Sequence, residues 1–182
     1  MTASESTEVS IRRMGGTDPP IMSAAFASIG WSRSKPIGTF ETYLREQTEG
    51  HRDVLVAVVG SEFAGYVTVN WESRYPPFAA DGVPEVQDLN VLPVFRGRGI
   101  AARLVEEAEQ IAAKRSAVVG IGVGLHPGYN VAQRMYVKRG YVPDGRGVTF
   151  HDVLVEEGQS VVMDDDLVLH LVKQVVPSEA AE

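Results

Sequence analysis

The sequence predicts an α/β (α+β) fold, and three observations support that prediction. The chain has 182 residues, 44% of them hydrophobic and 23% charged, a composition typical of one globular domain with a substantial core. Short apolar runs alternate with helical patterns along almost its whole length. The segment 86–115 predicts a buried strand, a glycine-rich turn and an amphipathic helix. Strands and helices that follow one another in this way pack as helices against a sheet.

Each element is predicted from a local pattern. Asp18 before two prolines marks the start of the first helix, because proline is tolerated in a first helical turn. Gly50 and Gly140 are typical helix ends. Runs rich in branched apolar residues indicate strands. The predicted order is a strand at 9–13, a helix from 18, a helix at 39–48, strands at 53–59 and 63–70, a loop at 71–84, a strand at 86–92, a helix from 100, a strand at 118–125, a helix at 130–139, and strands within 141–173 with a turn at 156–158.

Both ends of the chain are polar, small and acidic. We therefore expect flexible segments at 1–8 and 174–182 on either side of one domain at 9–173. No apolar run approaches membrane-spanning length, and the first residues lack the basic and apolar regions of a signal peptide. The chain has no cysteine, which excludes disulfides and thiolate nucleophiles and is compatible with a reducing cytoplasm. We therefore predict a cytoplasmic protein.

The net charge of −7 limits the partners that we expect. A nucleic-acid partner is disfavoured, because phosphate contacts need a basic face. An acidic body favours a cationic small molecule or a basic peptide, although many proteins are acidic for solubility alone.

The turn at 96–99 (RGRG) and the start of the following helix favour an anion. Its two glycines allow a tight turn and a close approach by a ligand. The first helical turn contains no acid but lies beside Arg96, Arg98 and Arg103, whereas acids usually stabilise a helix amino terminus. Free N–H groups, the positive end of the dipole and the arginines together favour a phosphate. An ordinary strand-to-helix turn with solvated arginines is the alternative.

Two kinds of nucleotide-binding turn fit this segment. Residues 97–102 (GRGIAA) formally match the dinucleotide-binding fingerprint G-x-G-x-x-G/A. That fingerprint has a companion acid about 20 residues further on. The corresponding segment, 116–126 (SAVVGIGVGLH), contains no acid, which weakens an NAD-type interpretation.

The second kind of turn belongs to the GNAT superfamily of acyl-CoA-dependent N-acyltransferases, which this chain resembles more closely. The family signature is Q/R-x-x-G-x-G/A after a strand of the form L-x-V-x-P. Here LNVLP stands at 89–93 and RGRGIA at 96–101. Alanine at 101 replaces a glycine that is frequent in the family and is an accepted variant. The resemblance implies these cofactor-binding residues: Leu89, Asn90, Val91, Arg96, Gly97, Arg98, Gly99, Ile100, Ala101 and Ala102.

The resemblance also implies the architecture and the way the cofactor binds. A single GNAT fold would have a mixed, mostly antiparallel sheet of about seven strands flanked by about four helices and splayed between strands 4 and 5. Acetyl-CoA would lie in that opening. The main chain of residues 89–91 would pair with its pantetheine arm, and the N–H groups of residues 97–102 would hold its pyrophosphate. No metal is implied.

A second resemblance lies at 130–141 (NVAQRMYVKRGY), which is similar to the family motif N-x-x-A-x-x-x-Y-x-x-x-G-F with one shortening. By this resemblance Asn130 contacts the cofactor, although asparagine is also a good helix N-cap. Tyr136 matches the family tyrosine that acts as general acid for the departing thiolate. A phenol with a pKa of about 10 is protonated at neutral pH and can donate. A core aromatic is the alternative.

The acceptor side is less defined. An alkyl amine with a pKa of about 10.4 is almost fully protonated at neutral pH, so a base must accept a proton before attack. Asp88 is the favoured base, since Gln87 at the neighbouring position cannot be one. Glu72 and Glu85 are second choices, and Tyr75 belongs to a loop that usually shapes the acceptor pocket in this fold. Solvated surface carboxylates and a surface hydrophobic cluster are the alternatives.

Three glycines alternate on the strand at 118–125, namely Gly120, Gly122 and Gly124. Missing side chains on one face indicate a close approach by a helix, a backbone or a ligand. The sequence does not choose among these.

Together these features predict a GNAT-family enzyme, an acetyl-CoA-dependent N-acetyltransferase in which a primary amine attacks the thioester directly in a ternary complex. The acidic composition favours a small cationic amine as acceptor. A protein N-terminus or lysine, a non-catalytic acyl-CoA-binding module and an NAD-type binder are the alternatives. We expect neither a nucleic-acid nor a membrane partner. Homodimers are common in the fold, but the sequence does not show one.

Overall fold

A computed structural model describes residues 8–30 and 35–176 of the chain. Within them it contains eight strands and five α-helices, compared with about seven and about four expected. The elements are β1 (Val9–Arg13), α1 (Asp18–Ser28), α2 (Ile37–Glu49), β2 (Arg52–Val59), β3 (Glu62–Asn70), α3 (Pro76–Asp81), β4 (Glu85–Val91), α4 (Ile100–Ala113), β5 (Val118–Gly124), α5 (Asn130–Lys138), β6 (Val142–Phe150), β7 (Val153–Leu154) and β8 (Leu167–Gln174).

The strands form one mixed sheet in the order β1-β2-β3-β4-β5-β8-β6-β7, which confirms the predicted fold class. The ladders β1–β2, β5–β8, β6–β8 and β6–β7 are antiparallel, whereas β4 and β5 are parallel. A parallel pair needs a long crossover, and α4 is the crossover here. The β4–β5 ladder pairs Glu85 with Gly120 and Val86 with Ile121. The splaying expected beyond these residues stays a prediction.

The two additional elements are short, which explains why pattern analysis missed them. Helix α3 has six residues and lies inside the segment predicted as a loop. Its prolines suit a first helical turn, and Gly82 ends it in the left-handed conformation (φ 63°). Strand β7 has only two residues and follows a turn at His151 and Asp152, both with positive φ. Elements of this length show no measurable periodicity.

The chain divides into two compact units, one formed by residues up to 69 with 88–108 and the other by 70–87 with 109 onward. Strand β4 contributes to both. The single domain at 9–173 stays a prediction, and the expected flexible ends fall mostly at 1–7 and 177–182, outside the described residues. Among the residues that are described, no helix combines the length and the apolar character that a membrane crossing requires.

The first unit is built around an aromatic cluster. The rings of Phe26 in α1 and Phe40 in α2 lie against the ring of Tyr66 in β3, with centroid distances to Tyr66 of 5.8 and 5.5 Å. The Phe26 and Phe40 rings are 6.0 Å apart. All three side chains are almost completely buried. Edge-to-face pairs of this kind stabilise beyond the apolar area that they bury. The cluster therefore fixes both helices to the sheet and holds the Tyr66 ring in one position.

The second unit has its own aromatic core, which explains the alternating glycines of β5. The ring of Phe78 lies where a Cβ on Gly120 would come within 2.2 Å, and the ring of Tyr129 blocks Gly124 in the same way at 2.4 Å. A Cβ on Gly122 would meet Val168 at 2.9 Å. Protein side chains, rather than a bound ligand, therefore account for the close approach at these glycines.

Candidate active site

The predicted phosphate turn has the backbone that its glycines suggest. Gly97 and Gly99 both have positive φ, 76° and 75°. A Cβ at either position would meet no atom within 4 Å. Glycine is therefore required here by the backbone conformation and not by a neighbouring protein group. Successive N–H groups in such a turn form a concave anion-binding nest.

Helix α4 begins immediately after this turn. Its first backbone hydrogen bond runs from the Arg103 N–H to the Gly99 carbonyl at 3.1 Å. The N–H groups of Ile100, Ala101 and Ala102 precede that bond and have no acceptor within the helix. The first turn contains no acid, and the buried Ile100 side chain anchors the helix start. The arrangement is suited to an anion.

The neighbouring arginines have mixed roles. The Arg96 Nε donates to the Val91 carbonyl at 3.1 Å, and an Arg103 guanidinium nitrogen donates to the Val9 carbonyl at 3.0 Å. Both side chains, like that of Arg98, remain exposed. Two arginines thus tie the turn and α4 to strands.

The end of β4 lies unusually close to β3. A Cβ on Gly65 would approach the Asn90 carbonyl oxygen to 2.4 Å and the Val91 Cα to 3.0 Å. Just beyond, the Leu92 N–H donates to the Ala64 carbonyl at 2.9 Å. The position of the backbone at 89–91, predicted to pair with the pantetheine arm, is therefore set by a glycine on the adjacent strand.

Asp88 is the centre of a polar cluster that the sequence did not predict. Its backbone has φ 54°, a left-handed conformation that aspartate tolerates better than most residues. The Lys35 Nζ lies 2.6 and 2.8 Å from the two carboxylate oxygens, and the Tyr43 hydroxyl donates to Oδ2 at 2.9 Å. The Tyr66 hydroxyl also donates to Oδ2, and the Asn90 Nδ2 donates to Oδ1 at 2.9 Å.

These donors determine the electrostatics of Asp88. Burial alone would raise its pKa, but the charge and hydrogen bonds of Lys35 and the two hydroxyls outweigh that effect, so the pKa of Asp88 is lowered. Burial, followed by the charge of Asp88, raises the pKa of Tyr43 and of Tyr66, so both phenols remain protonated and donate.

The same donors fill the acceptor capacity of the carboxylate. Each oxygen has about two lone pairs, whereas Oδ1 receives two donors and Oδ2 receives three. In this state Asp88 is a stable anion with little capacity to accept a further proton. Its role as the base stays a prediction. Its geometry favours holding a cation.

Asn130 is the first residue of α5 and is exposed. The helix N-cap is Tyr129, and no side chain caps this end, so the alternative interpretation of Asn130 as a capping residue is wrong. The Asn130 side chain makes no capping hydrogen bond at this helix end, and its contact with the cofactor stays a prediction.

Tyr136 lies on α5 with only 5% of its surface exposed, and its ring packs 5.8 Å from that of Tyr141. Burial, with a smaller effect of Tyr129, raises the pKa of the Tyr136 phenol well above its ordinary value. The hydroxyl therefore remains a donor throughout the physiological pH range. The general-acid role stays a prediction.

Glu85 is not the surface carboxylate that was considered as an alternative. It is only 5% exposed and accepts hydrogen bonds from the Ser73 Oγ at 2.5 Å and the Gln87 Nε2 at 2.8 Å. The Asn70 amide in turn donates to the Gln87 Oε1 at 3.4 Å. Glu72 is exposed, and its backbone N–H donates to Asn70. Acceptor contacts by Glu72 and Glu85 stay predictions.

Tyr75 is buried and takes part in packing. Its ring stacks on His170 at 3.6 Å between centroids, and its hydroxyl donates to an Asp144 carboxylate oxygen at 2.8 Å. Burial lowers the pKa of His170, which favours the neutral imidazole in this stack. These contacts are sufficient to explain an aromatic residue at this position, and a substrate contact by Tyr75 stays a prediction.

Sequence reasoning missed Lys35, Tyr43 and Tyr66. Tyr43 and Tyr66 carried the pattern of core aromatics, and Lys35 carried no signal beyond its place before Pro36. These three residues and Asp88 come from the segment before α2, from α2, from β3 and from β4, respectively. Within residues 8–30 and 35–176, no three His, Asp or Glu side chains gather as a metal site would require.

Comparison with known proteins agrees with this geometry. A family model described as "Acetyltransferase (GNAT) family" matches residues 24–141. An uncharacterized N-acetyltransferase of Archaeoglobus fulgidus is 42% identical over 65 residues, which span 35% of this chain and 42% of that protein's length. The match therefore covers less than half of that relative.

Solved structures share the fold at low identity. An N-acetyltransferase from Staphylococcus aureus Mu50 superposes with a TM-score of 0.69 at 15% identity, covering 92% of this chain and 98% of that one. An acetyltransferase from Salmonella typhimurium, solved with its cofactor acetyl-CoA, gives a TM-score of 0.66 at 17% identity and covers 96% and 98%. With the family match over more than half of its length, the chain belongs to the acetyltransferase (GNAT) family.

Proposed function

We propose that this protein is an acetyl-CoA-dependent N-acetyltransferase that transfers an acetyl group to a primary amine. The observation that carries the proposal is the pair of left-handed glycines, Gly97 and Gly99, directly before unpaired helical N–H groups in a chain of this family. That combination is suited to a pyrophosphate.

The N–H groups of residues 97–102 would hold the pyrophosphate, with Arg96 and Arg98 adding positive charge beside it. The main chain of Leu89, Asn90 and Val91 would pair with the pantetheine arm as an additional strand does. The relative from Salmonella typhimurium was solved with acetyl-CoA, which supports this choice of co-substrate. Asn130 would add a contact from the start of α5.

The acetyl transfer needs no covalent enzyme intermediate. The neutral amine nitrogen attacks the thioester carbonyl carbon, a C–N bond forms, the C–S bond breaks, and CoA leaves as a thiolate. A main-chain N–H near Val91 would polarise the carbonyl. The chain has no cysteine that could carry the acetyl group. Tyr136 would donate its hydroxyl proton to the departing sulfur and then regain a proton from solvent, consistent with a phenol that stays protonated. The proton that the attacking nitrogen loses as the amide forms passes to solvent.

We propose a small cationic amine as the acceptor. The net charge of −7 favours the approach of a cation. Asp88 would be the anion that receives the amine, and its lowered pKa keeps it charged at neutral pH. A proton then leaves the bound ammonium to solvent before attack. A protein N-terminus or lysine is the alternative acceptor, and Glu72, Tyr75 and Glu85 are candidate acceptor contacts. The absence of cysteine fits a cytoplasmic location.

The test is release of free CoA from acetyl-CoA across a panel of mono- and polyamines, aminoglycosides and peptides with free N-termini. We expect turnover with at least one cationic small amine. Turnover only with peptides would show that the acceptor is a protein N-terminus or lysine and not a small cationic amine. Saturable acetyl-CoA binding without turnover on any amine would instead indicate a non-catalytic binding module.

A further inference from the structure

We propose that Asp88, Tyr43 and Tyr66 form a binding site for a primary alkylammonium group and that the side chain of Lys35 is its internal occupant. It follows, if the acetyltransferase function proposed above is correct, that a cationic acceptor reaches Asp88 by displacing Lys35. Lys35 would then set the selectivity of the enzyme for cationic amines.

The contacts around the Lys35 Nζ are those that recognise an alkylammonium. The nitrogen bridges both oxygens of Asp88 at 2.6 and 2.8 Å, and charge-assisted bonds of this length are among the strong ones. It also lies 5.9 Å from the centroid of the Tyr66 ring, within the range of a cation–π contact. A carboxylate and an aromatic ring therefore surround one ammonium group.

The site does not depend on Lys35 for its shape. Hydroxyls of Tyr43 and Tyr66 and the Asn90 amide each hold the Asp88 carboxylate independently. Tyr66 is itself fixed by the buried Phe40, whose ring centroid lies 5.5 Å away. Removing the lysine should therefore leave an oriented anion beside an aromatic face.

The backbone at Lys35 is held independently of the side-chain ammonium. Its carbonyl accepts a hydrogen bond from the Ser23 Oγ at 3.2 Å, which anchors the backbone, and Pro36 follows as the N-cap of α2. The flexible four-carbon stem of lysine lets the ammonium move while the backbone stays in place. The side chains of Lys35 and Asp88 are 16% and 19% exposed, so neither is completely buried.

This lysine differs from the others in the described chain. Lys114 and Lys138 are exposed, and Lys173 pairs with Glu109 in the other unit. Exposed lysines form ion pairs of little net value, whereas Lys35 is held in a largely desolvated cluster. Lys114 is therefore a suitable matched control.

The experiment replaces the occupant with a free ligand. Lys35→Ala removes the last three methylenes and the ammonium of the side chain, and n-butylammonium supplies a free ammonium on a flexible alkyl chain. Binding is measured by calorimetry and thermal shift in the absence of acetyl-CoA. We expect n-butylammonium to bind Lys35→Ala about tenfold or more tightly than wild type, because in wild type the Lys35 ammonium already occupies both oxygens of Asp88. Lys114→Ala should behave as wild type.

Two controls assign the binding to this site. The double variant Lys35→Ala/Asp88→Asn should lose it, and tetramethylammonium, which has no N–H donor, should bind Lys35→Ala much more weakly. Equal binding to wild type and Lys35→Ala, or binding that survives in the double variant, would overturn the proposal. If Lys35→Ala is unfolded alone, n-butylammonium but not tetramethylammonium should restore its native circular dichroism, and failure to do so would also overturn it.

A separate assay connects the site to acetyl transfer. Lys35→Ala should lower the KM for a cationic acceptor and leave that for a neutral amine unchanged. Alkylammonium binding without any acetyl transfer would refute the proposed function and keep the ammonium site. Acetyl transfer without alkylammonium binding would support the proposed function and refute the ammonium site.

Discussion

Gly65→Ala is expected to damage both the stability of the protein and its affinity for acetyl-CoA. The new Cβ would lie 2.4 Å from the Asn90 carbonyl oxygen, and real Cβ atoms essentially never approach closer than 3.0 Å. To lengthen this contact from 2.4 to 3.0 Å, β4 or β3 must move by about 0.6 Å, because the opposing atom belongs to the backbone and cannot rotate away. The segment that moves is the one proposed to pair with the pantetheine arm.

Overpacking a core typically costs about 1–3 kcal/mol, and a rigid backbone neighbour places this substitution in the upper part of that range. For a chain of this size a loss of about 2–3 kcal/mol lowers Tm by roughly 5–10 °C. Calorimetric unfolding measures the loss of stability, and titration with acetyl-CoA at a temperature where the variant is folded measures affinity.

Gly38→Ala is the matched control. Gly38 lies in α2, and a Cβ there meets nothing within 4 Å. Alanine should therefore leave the free energy of unfolding unchanged or raise it by up to about 1 kcal/mol. A Gly65→Ala protein with the Tm and acetyl-CoA affinity of wild type would refute the close approach of β3 and β4.

Three further substitutions test the electrostatics. Asp88→Asn should destabilise the protein at neutral pH. Because the folded pKa of Asp88 is lowered, the difference in the free energy of unfolding from wild type should shrink as the pH falls below about 4 and through the folded pKa. Urea unfolding across pH measures this difference, and a difference that stays constant would contradict the prediction. Tyr136→Phe should lower kcat about 100-fold or more with little change in acetyl-CoA binding, and unchanged turnover would remove its general-acid role. Glu109→Gln should lower the free energy of unfolding by about 1.5–3 kcal/mol, because it leaves Arg139 and Lys173 without the carboxylate that both contact at 2.7 Å. Acetyl-CoA binding should not change, and a loss of binding would show that this cluster does more than stabilise the fold.

The backbone of the turn that we propose to bind phosphate could be predicted from the sequence because its determinants are local. Left-handed glycines, a helix start without an acid and the apolar stripe of α4 all lie within one short segment. The order of strands and helices was predictable for the same reason, since periodicity is a property of consecutive residues. The short helix α3 was not, because six residues show too little of that pattern.

The surroundings of Asp88 could not be predicted, because they are assembled from distant parts of the chain. Lys35, Tyr43 and Tyr66 each have an ordinary local role, and only folding brings their polar atoms to one carboxylate. The positive φ of Asp88 also breaks the simple alternation of β4, so the direction of its side chain did not follow from strand geometry. An acid expected to be a base thus lies in a saturated ion pair.

Calorimetric titration of the wild-type chain and of Gly99→Val with acetyl-CoA tests the central claim most directly. Valine at a backbone φ of 75° is strained and would crowd the exposed N–H groups, so binding should be saturable in wild type and lost in the variant, while Gly38→Ala binds normally. NAD should not compete. Absence of saturable acetyl-CoA binding to wild type, or equal binding to Gly99→Val, would contradict the assignment of this turn to the pyrophosphate of CoA.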